Sequence, residues 1–279
     1  MTESLGVALR RGARQLSEAG LEGGTRDAEV LLRWATGLGA AAMTVSADQA
    51  LSAEAARKFD AALARRAARS PVSHIVGGRE FWGRWFEVTP DVLDPRPETE
   101  ILVSTALAKQ GWRRVLDLGV GSGCLLGALL AERPGATGVG VDISDAALRV
   151  AGRNLTALGV VSRADLINGD WLDCVAGAFD LVVCNPPYIT QDEMRTLSPE
   201  VALHEPHIAL SPGGDGLTPF RRIASQLRAV LAPDHLALFE IGPLQADAVV
   251  AIFMEAGFRR IDVRQDFDGR DRCVAICSE

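Results

Sequence analysis

The stretch that decides the fold is Val115-Leu116-Asp117-Leu118-Gly119-Val120-Gly121-Ser122-Gly123-Cys124. It runs from a short apolar strand into a turn with glycine at three alternate positions, and an apolar helical pattern follows. Glycines at such a turn permit a tight change of direction and let a ligand approach the backbone closely. The stretch therefore predicts the first strand, turn and helix of a βαβ unit.

A second apolar strand, Gly138-Val139-Gly140-Val141-Asp142, ends in an acid 23 residues after Gly119. An acid at this place in a βαβ unit hydrogen-bonds ribose hydroxyls. The glycine spacing is G-x-G-x-G and not the G-x-G-x-x-G of dinucleotide dehydrogenases, which place a pyrophosphate at the helix N-terminus. The pattern favours an adenosine-containing cofactor without phosphates, such as S-adenosylmethionine. A glycine turn that only packs against the sheet is the lesser alternative.

A short motif, Asn168-Gly169-Asp170-Trp171, follows the third predicted strand. Asp170 is predicted to accept a hydrogen bond from the adenine amino group, and Trp171 is predicted to wall the adenine ring. An ordinary Asn-Gly turn without a ligand explains the same residues almost as well on local grounds.

The motif Asn185-Pro186-Pro187-Tyr188 follows the apolar run Leu181-Val182-Val183-Cys184, a pattern typical of a buried strand. Each proline fixes φ and removes a backbone N–H, so the turn is stiff and its carbonyls lack local donors. The Asn185 amide oxygen and a proline carbonyl would hold a planar NH2 group by its two N–H bonds. Tyr188, the only tyrosine in the chain, would stack on that group. A turn that simply ends a strand is the alternative.

The N-terminal part of the chain has a different pattern. Leu5, Leu9 and Leu16 recur at helical spacing, and Ser52 is a good N-cap for a helix with Phe59 and Leu63 on one face. Residues 1–70 are therefore predicted to form a small helical bundle. Glycines and prolines separate aromatic segments in residues 71–98, which predicts a β-hairpin linker.

Helix and strand patterns alternate over residues 99–279, which predicts a doubly wound, mostly parallel α/β sheet. Helices are predicted at 99–109, 123–132, 145–157 and near 217–231, and strands at 114–118, 137–142, 163–167, 179–184, 235–241 and 271–277. Ligands of such sheets bind beyond the carboxyl ends of the strands. The glycine turn, Asp142, Asp170 and Asn185 all fall at those ends, so we expect them to converge on one crevice.

Composition limits the classes of function. The formal net charge of the 279 residues is −7, with +2 on residues 1–70 and −9 on the remainder. An acidic catalytic region is a poor match for a nucleic-acid backbone. Five scattered cysteines without C-x-x-C pairing read as buried thiols in a reducing compartment, and the four histidines have no metal-ligand spacing. With no membrane span or secretion signal evident, we expect a cytoplasmic, metal-free enzyme that is a monomer.

The glycine turn and the Asn-Pro-Pro-Tyr motif together resemble those of a known family. Leu-Asp-Leu-Gly-x-Gly-Ser-Gly followed by Asn-Pro-Pro-Tyr resembles a class I S-adenosylmethionine-dependent methyltransferase that acts on an amino or amide nitrogen. Further segments resemble the HemK/PrmC family and extend the match over nearly the whole chain. They are Arg26-Asp27-Ala28-Glu29-x-Leu31-Leu32, Gly78-Arg79-Glu80-Phe81-Trp82, Pro95-Arg96-Pro97-Glu98-Thr99-Glu100, Glu205-Pro206, Gly214-Asp215-Gly216-Leu217 and Glu240-x-Gly242-x-x-Gln245.

The resemblance implies a seven-stranded methyltransferase sheet, with S-adenosylmethionine bound by residues 119–123, Asp142, Asp170, Trp171 and Asn185. It implies transfer of a methyl group to the N5 nitrogen of a glutamine, in a Gly-Gly-Gln motif of peptide chain release factors, with Asn185, Pro186 and Tyr188 in catalytic roles. Residues 185–188 would bind the substrate amide. One departure is Asp94, where the family usually has an aliphatic residue; it puts the packing of that loop in doubt.

Three alternatives remain. An adenine or cytosine amine fits the same turn, but base-flipping enzymes usually carry a separate basic recognition region, and only 91 residues follow Tyr188. A glutamine in a ribosomal protein is separated from one in a release factor only by the whole-chain resemblance. A module that binds the cofactor without catalysis would have no use for the Asn-Pro-Pro-Tyr turn.

Overall fold

A computed structural model describes residues 3–266 and 268–278 and divides the chain into two compact units. In chain order the helices are α1 (Leu5–Glu18), α2 (Gly24–Thr36), α3 (Ala40–Val45), α4 (Ala53–Ala67), α5 (Val72–Val76), α6 (Glu100–Ala108), α7 (Cys124–Glu132), α8 (Asp145–Ala157), α9 (Pro199–His204), α10 (His207–Leu210), α11 (Thr218–Leu227) and α12 (Ala246–Glu255). The strands are β1 (Gly78–Phe81), β2 (Arg84–Glu87), β3 (Arg114–Leu118), β4 (Thr137–Asp142), β5 (Ala164–Asn168), β6 (Phe179–Cys184), β7 (Leu231–Glu240), β8 (Ile261–Gln265) and β9 (Asp271–Cys277).

The first unit contains α1 to α5 and, from a later part of the chain, α9. Its helices pack on an apolar core that includes Leu16 and Phe59. Gly12 lets α1 approach α4 closely, because a Cβ at this position would lie 2.6 Å from the Phe59 ring. The predicted N-cap of α4 is confirmed, since the Ser52 hydroxyl accepts a hydrogen bond from the Ala55 N–H over 3.1 Å.

The segment predicted as a β-hairpin linker differs from the prediction at its start. Residues 72–76 form α5, which Gly77 ends in a left-handed conformation with φ of 85°. The hairpin proper is shorter and consists of β1 and β2. Its two-residue turn, Trp82-Gly83, has positive φ at both positions, 49° and 66°, as a tight hairpin turn requires. The sequence prediction missed α5 because a five-residue helix is too short to show a period.

The second unit is built on a seven-stranded sheet with the order β5-β4-β3-β6-β7-β9-β8. The first five strands are parallel, whereas β9 runs antiparallel to both of its neighbours. The prediction of a mostly parallel seven-stranded sheet is therefore confirmed. The segments that form β8 and α12 were not assigned from the sequence. In β8 only Ile261 is partly buried beside four exposed residues, so the strand shows no alternation.

Both faces of the sheet are covered. Along β6, Leu181 and Val183 belong to the apolar core on one face, while Val182 and Cys184 belong to the core on the other. Two buried faces explain why this strand reads as a continuous apolar run. Within the described ranges, no helix has both the length and the apolar character needed to span a membrane.

Candidate active site

The glycine turn after β3 requires glycine at three positions. The φ angles of Gly119, Gly121 and Gly123 are 74°, 51° and 78°, a region that strains any other residue. A Cβ on Gly123 would also lie 3.2 Å from the Cα of Ala151, so this glycine lets the turn pack against α8. The turn is therefore a fixed backbone surface over which a ligand can lie in close contact.

Asp142, at the carboxyl end of β4, is bonded to this turn. One carboxylate oxygen accepts the Gly121 N–H over 2.9 Å, and the other accepts the Ser144 N–H over the same distance. Burial raises the pKa of Asp142, and the backbone N–H groups oppose that shift. Each oxygen has lone pairs left over, so the carboxylate has the acceptors that a pair of ribose hydroxyls requires.

Two buried polar residues outside the predicted cofactor-binding set form hydrogen bonds in and next to the turn, and one of them, Asp117, was expected at the same crevice. Asn154 of α8 donates to the Ser122 carbonyl over 2.8 Å. Asp117 accepts the Leu126 N–H in the first turn of α7 over 3.1 Å. Burial raises the Asp117 pKa to about 7. These contacts hold the glycine turn between β3, α7 and α8.

The structure brings the three predicted parts of the site together. A Cβ on Gly119 would lie 3.6 Å from the Trp171 ring and 4.0 Å from the backbone oxygen of Asn185. The missing side chain of Gly119 therefore leaves a space bounded by an aromatic ring on one side and the Asn-Pro-Pro-Tyr turn on the other. Trp171 is held toward it in a left-handed conformation with φ of 53°.

Asp170 precedes Trp171 in the chain and already has a partner. One of its oxygens accepts a hydrogen bond from Arg222 of α11 over 2.6 Å, and Arg222 also binds Asp173 over 2.6 Å. Asp170 and Arg222 are both partly exposed. Arg222 was not predicted as a partner, because it lies 52 positions away along the chain. The second Asp170 oxygen remains as the candidate acceptor for an adenine amino group.

The Asn185 side chain is pinned at one end. Its Nδ2 donates to the Thr99 hydroxyl over 3.3 Å. Thr99 closes the short 3-10 turn Pro97–Thr99, and its hydroxyl in turn donates to Glu240 over 2.6 Å. Pro186 is buried, whereas Asn185 and Pro187 are partly exposed. The Asn185 amide oxygen is therefore on the opposite side of the amide group from Thr99.

Tyr188 is held at both its ring and its backbone. Its hydroxyl donates to Glu240 over 3.0 Å and accepts from Arg272 over 3.4 Å. Its backbone carbonyl accepts from the Gln245 side chain over 3.0 Å. Burial raises the pKa of the Tyr188 hydroxyl, and it raises the pKa of Glu240 to about 7. Glu240 thus connects Thr99 with Tyr188, a role that the sequence prediction missed although it had singled out the Glu-x-Gly-x-x-Gln segment.

The loop before Thr99 carries two further ion pairs. Arg79 donates to Asp94 over 2.8 Å, and Arg96 donates to Glu205 over 2.6 Å. Asp94 and Glu205 are both buried. The Arg79 guanidinium, on the hairpin, compensates the charge of the buried Asp94 carboxylate. The loop therefore accommodates an acid where the family usually has an aliphatic residue. The Arg96–Glu205 pair joins two of the segments that carried the family resemblance.

Comparison with known proteins identifies relatives over nearly the whole chain. Residues 7–77 match the family model described as PrmC N-terminal domain, and residues 92–221 match the methyltransferase small domain. A release factor glutamine methyltransferase from Cereibacter sphaeroides is 52% identical over 96% of both chains. One from Rhodospirillum rubrum is 45% identical over 97% of this chain and 84% of its own.

The chain belongs to the release factor glutamine methyltransferase family. The resemblance seen in the sequence is confirmed, and membership of a methyltransferase family supports S-adenosylmethionine as the cofactor. A solved methyltransferase from Pyrococcus furiosus shares the fold, with a TM-score of 0.54 at 16% identity over 77% of this chain and 98% of that one.

Proposed function

We propose that this protein transfers a methyl group from S-adenosylmethionine to the N5 amide nitrogen of a glutamine in a peptide chain release factor. The observation that carries the proposal is the meeting of Gly119, Trp171 and the Asn185 backbone around one space. Direct transfer between two bound molecules requires that the cofactor site and the amide-binding turn lie next to each other. Family membership supports the choice of substrate.

The cofactor supplies a methyl group on a sulfonium, which is already a good leaving group. The chain contributes binding and orientation. The backbone of residues 119–123 allows close approach, Asp142 accepts from the ribose hydroxyls, and Trp171 covers the adenine ring. Asp170 accepts from the adenine amino group with the oxygen that Arg222 leaves free.

The substrate amide is a weak nucleophile because its nitrogen lone pair is delocalised into the carbonyl. The Asn185 amide oxygen and the Pro186 carbonyl accept its two N–H bonds and so aim the nitrogen at the methyl carbon. The same two oxygens stabilise the positive charge that grows on nitrogen during transfer. Pro187 and the Tyr188 ring lie against the flat face of the substrate amide, on which the ring stacks. The proton leaves after transfer, so no strong base is required.

Several finer assignments belong to the same proposal. The target glutamine lies in a Gly-Gly-Gln motif, and the helical unit recognises the release factor. The enzyme acts in the cytoplasm as a monomer and has no direct nucleic-acid partner. The negative charge of the catalytic region supports a protein substrate over a nucleic acid.

Transfer of a radiolabelled methyl group tests the proposal. The purified protein is incubated with labelled S-adenosylmethionine and, in separate reactions, a release factor, a release factor with the motif glutamine changed to alanine, ribosomal proteins, and DNA. We expect label only in the unmodified release factor. Label in DNA or in a ribosomal protein instead would support the corresponding alternative substrate, and no label in any of them would reject the enzyme assignment.

A further inference from the structure

Glu240 is a buried carboxylate that receives two hydroxyl groups from distant parts of the chain. Thr99 approaches one oxygen to 2.6 Å, and Tyr188 approaches the other to 3.0 Å. The Glu240 side chain is 1% exposed, so neither contact is shared with bulk water. Burying a carboxylate charge costs free energy unless the groups around it donate hydrogen bonds to it.

The directions of these hydrogen bonds follow from the chemistry of the groups. A guanidinium only donates, so the Tyr188 oxygen accepts from Arg272 and its proton points at Glu240. An ionised carboxylate only accepts, so the Thr99 proton also points at Glu240. The Thr99 oxygen is then left with lone pairs alone, and the neighbouring Asn185 amide meets it with its NH2 end.

We propose that Thr99 and Glu240 are positioning residues that hold the Asn185 amide with its oxygen toward the substrate. The two ends of an asparagine amide have the same shape, and only hydrogen bonds distinguish them. An Asn185 amide turned by 180° would present N–H donors to a substrate NH2 group that also donates. This inference rests on the proposed methyl transfer. It explains how the Asn185 side chain is kept in the orientation in which its oxygen can accept a hydrogen bond from the substrate.

A set of variants tests the inference in the full-length protein. Thr99→Val keeps the branched shape and removes the hydroxyl, whereas Thr99→Ser keeps the hydroxyl. Glu240→Gln keeps the shape of the buried side chain but adds a donor. We expect Thr99→Val and Glu240→Gln to lower kcat by about 10- to 100-fold, and Thr99→Ser to restore kcat to within about threefold of wild type. The cofactor Kd should change by less than about twofold in all three.

Thr156→Val is the matched control, since this exposed threonine on α8 donates its hydroxyl only to the Gly152 carbonyl. A second readout is independent of turnover. In ¹⁵N-labelled protein, the Asn185 side-chain NH2 should exchange slowly with water, and its exchange should quicken in Thr99→Val but not in Thr99→Ser. Assignment of that signal uses its absence in Asn185→Asp.

Three results would overturn the inference. They are a Thr99→Val enzyme with wild-type kcat, an equal loss of kcat in Thr99→Val and Thr99→Ser, and a fall in kcat matched by equal losses in cofactor binding and Tm, which would mark a merely structural role. The wild-type reaction separates this failure from failure of the proposed function. A wild-type enzyme that methylates the release factor upholds the function whatever Thr99→Val does, whereas an inactive wild type rejects the function itself.

Discussion

The carboxylate of Asp142 and the backbone N–H of Gly121 lie 2.9 Å apart and form a hydrogen bond. This contact joins the end of β4 to the middle of the glycine turn, so it links the acid proposed to bind the ribose to the turn proposed to bind the rest of the cofactor. Loss of the carboxylate would therefore affect the cofactor twice, through the missing acceptor and through a looser turn.

Asp142→Ala should weaken binding of S-adenosylhomocysteine by about 10- to 100-fold, because a carboxylate that accepts from hydroxyl groups contributes about 1.5–3 kcal/mol per hydrogen bond. Isothermal titration calorimetry measures the change. Asp145→Asn, three residues further along in the first turn of α8, is the matched control and should bind normally. An Asp142→Ala protein with the wild-type Kd would show that the acid does not hold the cofactor.

Asn185→Ala should lower kcat by about 100-fold or more while changing the cofactor Kd little, because the amide oxygen acts on the charge that develops in the transition state. Steady-state kinetics with a release factor at saturating cofactor, together with calorimetry, separate the two effects. Near-normal turnover in this variant would contradict the proposed role of the turn. A parallel loss of cofactor binding would assign Asn185 to the cofactor site alone.

The Asp170 assignment is tested with a change in the ligand. S-inosylhomocysteine carries an oxygen in place of the adenine amino group, so wild-type protein should bind it more weakly than S-adenosylhomocysteine, by about 10-fold. Asp170→Ala should bind both ligands with similar affinity. Arg222→Ala, which removes the partner but keeps the carboxylate, should preserve the preference for the amino group. A preference that survives in Asp170→Ala would place the adenine amino group elsewhere.

The kcat of the wild-type enzyme should fall as the pH is lowered through about 7. Burial raises the pKa of Glu240 to about 7, so the acceptor-only carboxylate that Thr99 and Tyr188 require is lost below that pH and is present above it. Glu240→Gln should lack this acidic limb. Asp117 is the control because burial raises its pKa to about 7 as well, and Asp117→Asn should retain the limb. The opposite pair of results would assign the limb to Asp117.

The charged and titratable groups around Glu240 come from several elements, and the effect of burial on its pKa outweighs theirs. Thr99 and Tyr188 donate to the carboxylate and lower its pKa, the Arg272 guanidinium on β9 lowers it further, and the Glu98 carboxylate opposes them. The Glu240 charge also raises the pKa of three cysteine thiols, those of Cys124 on α7, Cys184 on β6 and Cys273 on β9. The pKa of each thiol is itself raised by burial, so these groups stay neutral through the range of the experiment.

Arg66→Ala should destabilise the helical unit by about 2 kcal/mol, because it leaves the partly buried Asp27 carboxylate without its cation, whereas Glu200 keeps a second arginine partner. Arg66 is 8% exposed and lies 2.7 Å from Asp27 and 3.2 Å from Glu200. Urea denaturation monitored by circular dichroism gives the change. Arg14→Ala, which breaks an exposed pair with Glu18, should leave the midpoint where it is. Equal midpoints for the two variants would mean that the Arg66 pairs do not stabilise the unit.

Local patterns sufficed to predict the parts of the site that lie on consecutive residues. The strand-turn-helix of residues 115–124 and the stiff turn after β6 are dictated by glycine, proline and apolar runs. The parallel sheet then places their ends together. What sequence reasoning missed depends on contacts between distant residues, such as Thr99 with Glu240, which are 141 positions apart. Neither residue belongs to a periodic pattern, so no local sequence pattern predicts that the two form a hydrogen bond.

Two other differences have physical causes of the same kind. The edge strand β8 is mostly solvent-exposed and so lacks the alternation that identifies strands. Asp170 was predicted to bond the adenine amino group, with an ordinary Asn-Gly turn as the alternative. Its ion pair with Arg222 was not predicted, because that arginine lies on a helix that comes much later in the chain. The sequence indicates which side chains stand at the strand ends, whereas the fold decides which of their atoms are left free.

The last strand in chain order, β9, lies inside the sheet between β7 and β8 rather than at its edge. It carries Arg272, the donor to Tyr188, so the group of side chains around Glu240 is complete only when this strand has inserted. During synthesis, the glycine turn and the Asn-Pro-Pro-Tyr turn leave the ribosome well before it. A nascent chain therefore reaches its full set of active-site contacts only after β9 has been synthesised and has inserted between β7 and β8.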